Sequence, residues 1–183
     1  MTHNSTRLLR RLNPYCAQAL SAAASLCQSR AHARISIEHW LLKLLEQGEG
    51  DLTLIARRYE WDMDALWRGL LDHLDTLPRT VQGKPQLCGK LQKLIEHAWL
   101  RASLDGDENL RSAHLLGALL ASPNLLACEA AWPLLSLGES QLQALMAMLD
   151  QHSEERPQVQ QEAALDSTTP GSGTVPHDAL QAV

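Results

Sequence analysis

Apolar residues recur along this chain at helical spacing in short blocks, and the blocks come twice. Residues 35–45 read Ile-Ser-Ile-Glu-His-Trp-Leu-Leu-Lys-Leu-Leu, and residues 110–120 read Leu-Arg-Ser-Ala-His-Leu-Leu-Gly-Ala-Leu-Leu. With His39 set on His114, 75 residues further on, Leu41 falls on Leu116, Leu44 on Leu119 and Leu45 on Leu120. Upstream, Ala23 falls on Ala98 and Cys27 on Ala102. A helical unit written twice normally buries its apolar face against its own copy.

The elements follow from this period and its punctuation. Residues 6–12 read as a short amphipathic helix, with Leu8, Leu9 and Leu12 apolar and Arg7, Arg10 and Arg11 facing elsewhere. Asn13-Pro14 is a helix start, since Asn suits the N-cap and Pro the first helical position. The Ala-rich run 14–29 is the central helix of the first repeat. Cys16, Leu20, Ala23 and Cys27 form a stripe of about 60° on it, and Ala17, Ala22 and Ala24 keep its other faces small. Ser36 caps a helix over 37–46, which Gln47-Gly48-Glu49-Gly50 stops. Asp51 caps a helix to about residue 59, and Asp62 caps one over 63–74 with Leu66, Leu70 and Leu74 on one face. Residues 77–86 break the pattern and join the halves.

The second half keeps the order. A helix spans 88–103, a loop 105–110, and a helix capped by Ser112 runs to 121. A short helix follows to about 131 before Pro133, and a last one covers 139–150. From 152 the composition turns to Gln, Glu, Ser, Thr, Pro and Gly without periodicity, as in a disordered linker. The expectation is an all-α domain over residues 1–152, with repeats at about 13–76 and 87–150, and a linker or tail over 153–183.

Composition narrows the class. A net charge of −5 gives no basic footprint, so nucleic acid is not an expected partner. No apolar run approaches the roughly 18 residues of a membrane span, and Arg7, Arg10 and Arg11 interrupt any signal-peptide core. Cys16, Cys27, Cys88 and Cys128 lack CxxC spacing, as expected of reduced cytosolic thiols.

No pattern reads as an active site. His39 and His114 occupy equivalent positions beside a leucine face and read as buried structural histidines rather than ligands. Glu38-His39 is not part of an HExxH pattern, and Cys16, Cys27 and His32 lack the close paired ligands of a zinc site. Asp105, Asp107 and Glu108 lack the Gly and terminal Glu of a calcium loop. There is no GxSxG and no phosphate-binding loop. No catalytic residue and no metal ligand is therefore assigned. What remains is surface: helix 6–12 lies outside the repeat and packs most simply on the small-residue flank of 14–29. Its leucines either extend the core or edge a shallow groove for an incoming amphipathic helix, and the pattern alone fits both.

Residues 13–45 decide between classes of protein. Asn-Pro-Tyr-Cys-Ala-Gln-Ala-Leu (13–20), Ala-Ala-Ala-Ser-Leu-Cys (22–27) and the block at 35–45 resemble the amino-terminal domain of Clp/Hsp100 AAA+ ATPases. Glu-His-Ala-Trp-Leu-Arg-Ala-Ser-Leu (96–104) with 111–120 is similar to that family's second repeat, and the run 38–46 looks like the ClpV branch of type VI secretion. The resemblance covers about residues 6–150. It implies two pseudo-symmetric four-helix Clp-N repeats plus an extra amino-terminal helix, ahead of AAA+ modules that this sequence lacks.

By the same resemblance the fragment is not an enzyme and needs no cofactor, ATP and Mg belonging to the motor of a homo-hexameric parent. The implied partner is an amino-terminal helix of a sheath subunit (VipB/TssC-like), bound in a hydrophobic groove so that contracted sheath is disassembled. Leu8, Leu12, Tyr15, Ala19 and Leu87 are the implied peptide-contacting wall. Two other readings compete: a general Clp amino-terminal domain binding an adaptor or exposed hydrophobic segments, and a metal-binding or redox helical protein.

Overall fold

The computed structural model describes residues 6–80 and 83–157. Its main helices are α1 (Pro14–Ser29), α2 (Ile37–Gln47), α3 (Asp51–Arg58) and α4 (Met63–Asp75) in the first repeat. The second repeat holds α5 (Gly89–Leu104), α6 (Ser112–Ala121), a 3₁₀ stretch Glu129–Ser136 and α7 (Glu139–His152). The 75-residue offset maps α1 onto α5 residue for residue, and α2 and α4 onto α6 and α7 within two residues at each end. Only the third element changes type. Pro133 lies inside Glu129–Ser136 and cannot donate to the carbonyl four residues back, so this run stays 3₁₀ where its counterpart α3 is α-helical.

Two parallel backbone pairings that the helical pattern gave no sign of tie the repeats together. Strand β1 (Arg34–Ile35) runs beside β2 (Gln86–Leu87), with Ile35 opposite Leu87. A single bridge joins Leu12 to Leu110. These are one interaction seen twice, because the offset takes Leu12 to Leu87 and Ile35 to Leu110. Asn13 N donates to Leu110 O at 2.8 Å, and Cys88 N donates to Ile35 O at 2.9 Å. Each repeat thus extends its lead-in segment onto the loop of the other.

Helix starts follow local chemistry, with three corrections. Asn13 caps α1 by accepting Cys16 N at 2.8 Å, and its equivalent Cys88 sits outside α5 as its N-cap, taking Leu91 N on Sγ at 3.4 Å. Ser36 caps α2 as expected. Ser112, expected as a cap, is instead the first residue of α6, with Arg111 at the N-cap. Asp51 is likewise the first residue of α3, with Gly50 at the N-cap. The segment 6–12 is helical only over its first turn; Leu9–Arg11 is 3₁₀ and Leu12 is extended.

The two histidines at matched positions are helix-start residues. His39 Nδ1 accepts Ser36 N at 3.0 Å and His114 Nδ1 accepts Arg111 N at 3.1 Å. That fixes the proton on Nε2 in each, where it is donated to His32 Nδ1 at 2.9 Å and to Asp107 at 2.8 Å. His32 and Asp107 are again equivalent positions. Burial, then the neighbouring His32 and Arg30, push His39 down to about 4. Both histidines are structural, as the pattern suggests.

The core is made by Leu, Ile and Ala with Trp40, whose Nε1 donates to Cys16 O at 3.1 Å. Helix α1 packs on α2 and α5 on α6, while α4 lies against the 3₁₀ stretch. The chain expected to become a tail at 153 stays packed for several more residues, since Ser153 and Glu155 are buried. Residues 158–183 of that expected tail lie outside the described residues.

Candidate functional site

The opening segment gives the clearest asymmetry between the repeats. Leu8 and Leu12 are buried in the common core, and the Arg11 guanidinium lies over the Trp99 ring of α5 at 5.1 Å from its centre. The segment therefore leans on the second repeat, where the sequence suggested the small-residue flank of α1. Under the offset, Leu8 and Leu9 become Gly83 and Lys84, both exposed, and Arg11 becomes Gln86. At positions 83 and 84 the first repeat has no apolar counterpart to Leu8 and Leu9.

The surface beneath records the difference. Ile95 of α5 is fully buried, whereas its equivalent Leu20 on α1 is half-buried. Leu12 is buried, whereas its equivalent Leu87 is half-buried. Trp99 is matched by Ala24, so α1 carries a methyl group where α5 carries its largest side chain. Ala17, Leu20 and Ala24, spaced at three and four residues, form a partly exposed apolar strip along α1. An apolar strip at this spacing is the kind of surface on which one side of an amphipathic helix can lie.

The five residues expected to form a peptide-contacting wall separate on this structure. Leu87 stands half-exposed beside Ile35, and Gln92 Nε2 donates to its carbonyl at 3.0 Å. Leu8 and Leu12 support the opening segment from inside. Ala19 has no exposed surface and is a core contact, not a wall residue. Tyr15 also points inward: its hydroxyl donates to Leu44 O at 3.1 Å and accepts Gly50 N at 3.2 Å. Burial, then the charge of Glu155, raise the Tyr15 hydroxyl pKa well above its ordinary value. The family resemblance implied Tyr15 and Ala19 on an exposed flank of α1, but both lie on a buried flank, which could not be told from the open one without the partner helices.

Behind the start of α1 lies a polar joint that the sequence did not announce. Arg111 holds Asp51 with two bonds of 2.8 Å, and Asp51 also accepts Ala113 N at 3.0 Å. Arg111 reaches Asp150 of α7 as well. Glu155 fills the remaining space, and burial followed by the Asp51 charge raises its carboxyl to about 7. The Cys16 thiol is pushed up by burial and by Glu155, which keeps it protonated. A lone Glu in a polar, aperiodic stretch carries no signal that it will be buried.

Asp105, Asp107 and His114 also meet, with ligand atoms within 4.8 Å of one another. His114 Nδ1 accepts Arg111 N at the start of α6 and its Nε2 bonds Asp107, so both ring nitrogens already have partners within the domain. Among the described residues no helix is long and apolar enough to cross a membrane.

Comparison with known proteins agrees with this architecture. The Clp repeat (R) N-terminal domain family matches residues 11–130. A ClpB chaperone from Yersinia enterocolitica is 31% identical over 166 residues, covering 90% of this chain and 18% of the relative. The AAA+ ATPase ClpV1 of Pseudomonas aeruginosa is 29% identical over 119 residues, 64% of this chain and 13% of the relative. The chain thus spans less than a fifth of the length of these curated relatives.

Among solved structures, the N-terminal domain (1–163) of the ClpV1 ATPase from the E. coli EAEC Sci1 T6SS superposes with a TM-score of 0.83 at 60% identity, covering 85% of this chain and 96% of that one. A structure described as a complex of a ClpV N-domain with a VipB peptide superposes with a TM-score of 0.72 at 26% identity, covering 82% and 93%. With its doubled helical unit, its lead-in segment and these likenesses to ClpV N-domains, the chain belongs to the Clp repeat N-terminal domain family.

Proposed function

We propose that this domain is the substrate-recognition module of a ClpV-type unfoldase and that it docks an amphipathic amino-terminal helix from a contractile sheath subunit of the VipB/TssC kind. The observation that carries the reading is the partly exposed strip Ala17, Leu20 and Ala24 with Leu87, at the place where the second repeat is covered by the opening segment. A helix presenting leucines in the manner of Leu8 and Leu12 would fill it. The solved complex of a ClpV N-domain with a VipB peptide supports the choice of partner. Motor work, hexamer formation, ATP and Mg belong to AAA+ modules beyond this domain, which itself recruits contracted sheath for disassembly.

One short helix in a shallow groove should bind at about micromolar strength, near −8 kcal/mol. Six such domains facing a repetitive sheath gain strongly from linked binding, while each single contact can still let go. The test is a calorimetric titration with a synthetic peptide from the sheath subunit's amino terminus, repeated on Leu20→Arg and Leu87→Arg. Micromolar binding lost in both folded variants supports the reading. Binding only of an adaptor or of generic unfolded segments would assign the domain to general substrate capture instead.

A further inference from the structure

The start of α1, the start of α3 and the start of α6 converge on one buried carboxylate, and that carboxylate belongs to the short segment that follows α7. Glu155 Oε1 accepts Ser112 N and Ser112 Oγ, both at 2.8 Å, Cys16 Sγ at 3.1 Å and Asn13 Nδ2 at 3.3 Å. Its Oε2 accepts Asp51 N at 2.7 Å. Helix N-termini carry partial positive charge, and these donors offset part of the cost of burying a carboxylate beside Asp51.

The two residues before Glu155 stitch it in place. Ser153 N donates to Leu149 O at 2.9 Å, and Ser153 Oγ accepts Glu155 N at 3.0 Å. Glu154 N donates to Glu49 O at 2.9 Å, and its side chain accepts Glu49 N at 3.2 Å.

The far side of this joint is the base of the docking strip. Asn13 caps α1 and directly follows Leu12, whose partner is Leu110. Cys16 lies immediately before Ala17 and one turn before Leu20. Displacing residues 153–155 therefore removes the Glu155 contacts to Asn13 and Cys16 at the first turn of α1.

We propose that residues 153–155 form a latch that couples the segment following α7 to the docking strip on α1. This rests on the peptide-docking reading above. With the latch seated, the first turn of α1 and the opening segment are held and the strip is firm. With it withdrawn, that end of α1 loosens and the docked helix leaves sooner. Coupling of this kind is reciprocal, so a docked helix also holds the latch closed.

The experiment uses the full chain, with Glu155→Gln as the main variant and Cys16→Ala, which removes one donor, as a milder second. Hydrogen exchange at the Asp51 and Ser112 amides reads the latch, and titration with the sheath-subunit peptide reads the strip. In folded Glu155→Gln, protection at those two amides is expected to drop about tenfold, and peptide affinity to weaken about fivefold. Saturating peptide on the unsubstituted chain is expected to raise protection at the same amides.

Cys16→Ala should move both readouts in the same direction by less, and it carries the test if Glu155→Gln does not fold. Folded variants that lose protection at Asp51 and Ser112 yet bind peptide with unchanged affinity would overturn the coupling while leaving the docking reading intact. An unsubstituted chain that binds no peptide, with both amides protected, would instead overturn the docking reading on which the coupling rests.

Discussion

Two buried groups in this domain are expected to pull its stability in opposite directions as pH changes. His39 is neutral in the fold and held down to about 4 from an ordinary 6.5. Between those values the unfolded chain binds more protons at this site than the folded one, so stability rises with pH. Glu155 is raised from 4.5 to about 7. Between those values the folded chain binds more protons, so stability falls as pH rises. Each difference of about 2.5 units corresponds to roughly 3 kcal/mol over its full window. Across about pH 4.5–6.5 the two contributions nearly cancel, and the unsubstituted domain should show a flat profile there. His32, also lowered by burial and by Arg30 and Arg79, tilts the balance slightly toward a rise.

Removing one group should unmask the other. His39→Asn keeps an acceptor for Ser36 N but no longer titrates, so its stability should fall by about 3 kcal/mol from pH 4.5 to 7.5. Glu155→Gln should show the reverse, rising by about 3 kcal/mol from pH 4 to 6.5. Urea unfolding followed by circular dichroism at half-unit pH steps measures both. Parallel profiles for the two variants would refute the reasoning, because they would mean that neither group changes its proton affinity on folding.

Two further substitutions test the packing. Gly50→Ala places a Cβ 2.5 Å from the Tyr15 ring, whose hydroxyl is anchored by Leu44 and Gly50, so the ring has nowhere to move. A loss of about 1–3 kcal/mol is expected in denaturant unfolding, and a loss below half a kcal/mol would contradict that contact. Arg111→Met strands Asp51 at the joint of the two repeats, since both of its strong bonds come from Arg111. Breaking such a pair typically costs about 3–5 kcal/mol, and thermal unfolding of Arg111→Met beside Asp51→Asn/Arg111→Met shows how much of the loss is the orphaned charge.

What the sequence revealed and what it concealed divide along physical lines. The repeat was legible because helix packing reuses one face: His39 and His114, Leu44 and Leu119, and Ala23 and Ala98 are constrained by the same contact made twice. The capping role of Asn13 was legible because it depends on neighbours in the chain. The Leu12–Leu110 and Ile35–Leu87 pairings were not, since two-residue strands leave no period to detect. Glu155 and the Asp51–Arg111 pair were hidden for a related reason: their partners lie 43 to 142 residues away.

The candidate site was half legible. Leu87 and the flank of α1 were reachable from the family resemblance. Which side of α1 stays open depends on α2, so Tyr15 and Ala19 were assigned to a surface they do not reach. The open side became visible only when burial at matched positions, Ile95 against Leu20 and Leu12 against Leu87, could be compared.

The most direct test of the whole account is the affinity of this domain for the sheath-subunit peptide before and after Leu20→Arg. Leu20 is half-buried, so a charged side chain there can reach solvent without unfolding α1. The account predicts binding at about micromolar strength that falls at least tenfold in the folded variant. Equal affinity for the unsubstituted domain and folded Leu20→Arg would contradict it, because the partly exposed strip on the first repeat would then not be where the helix docks.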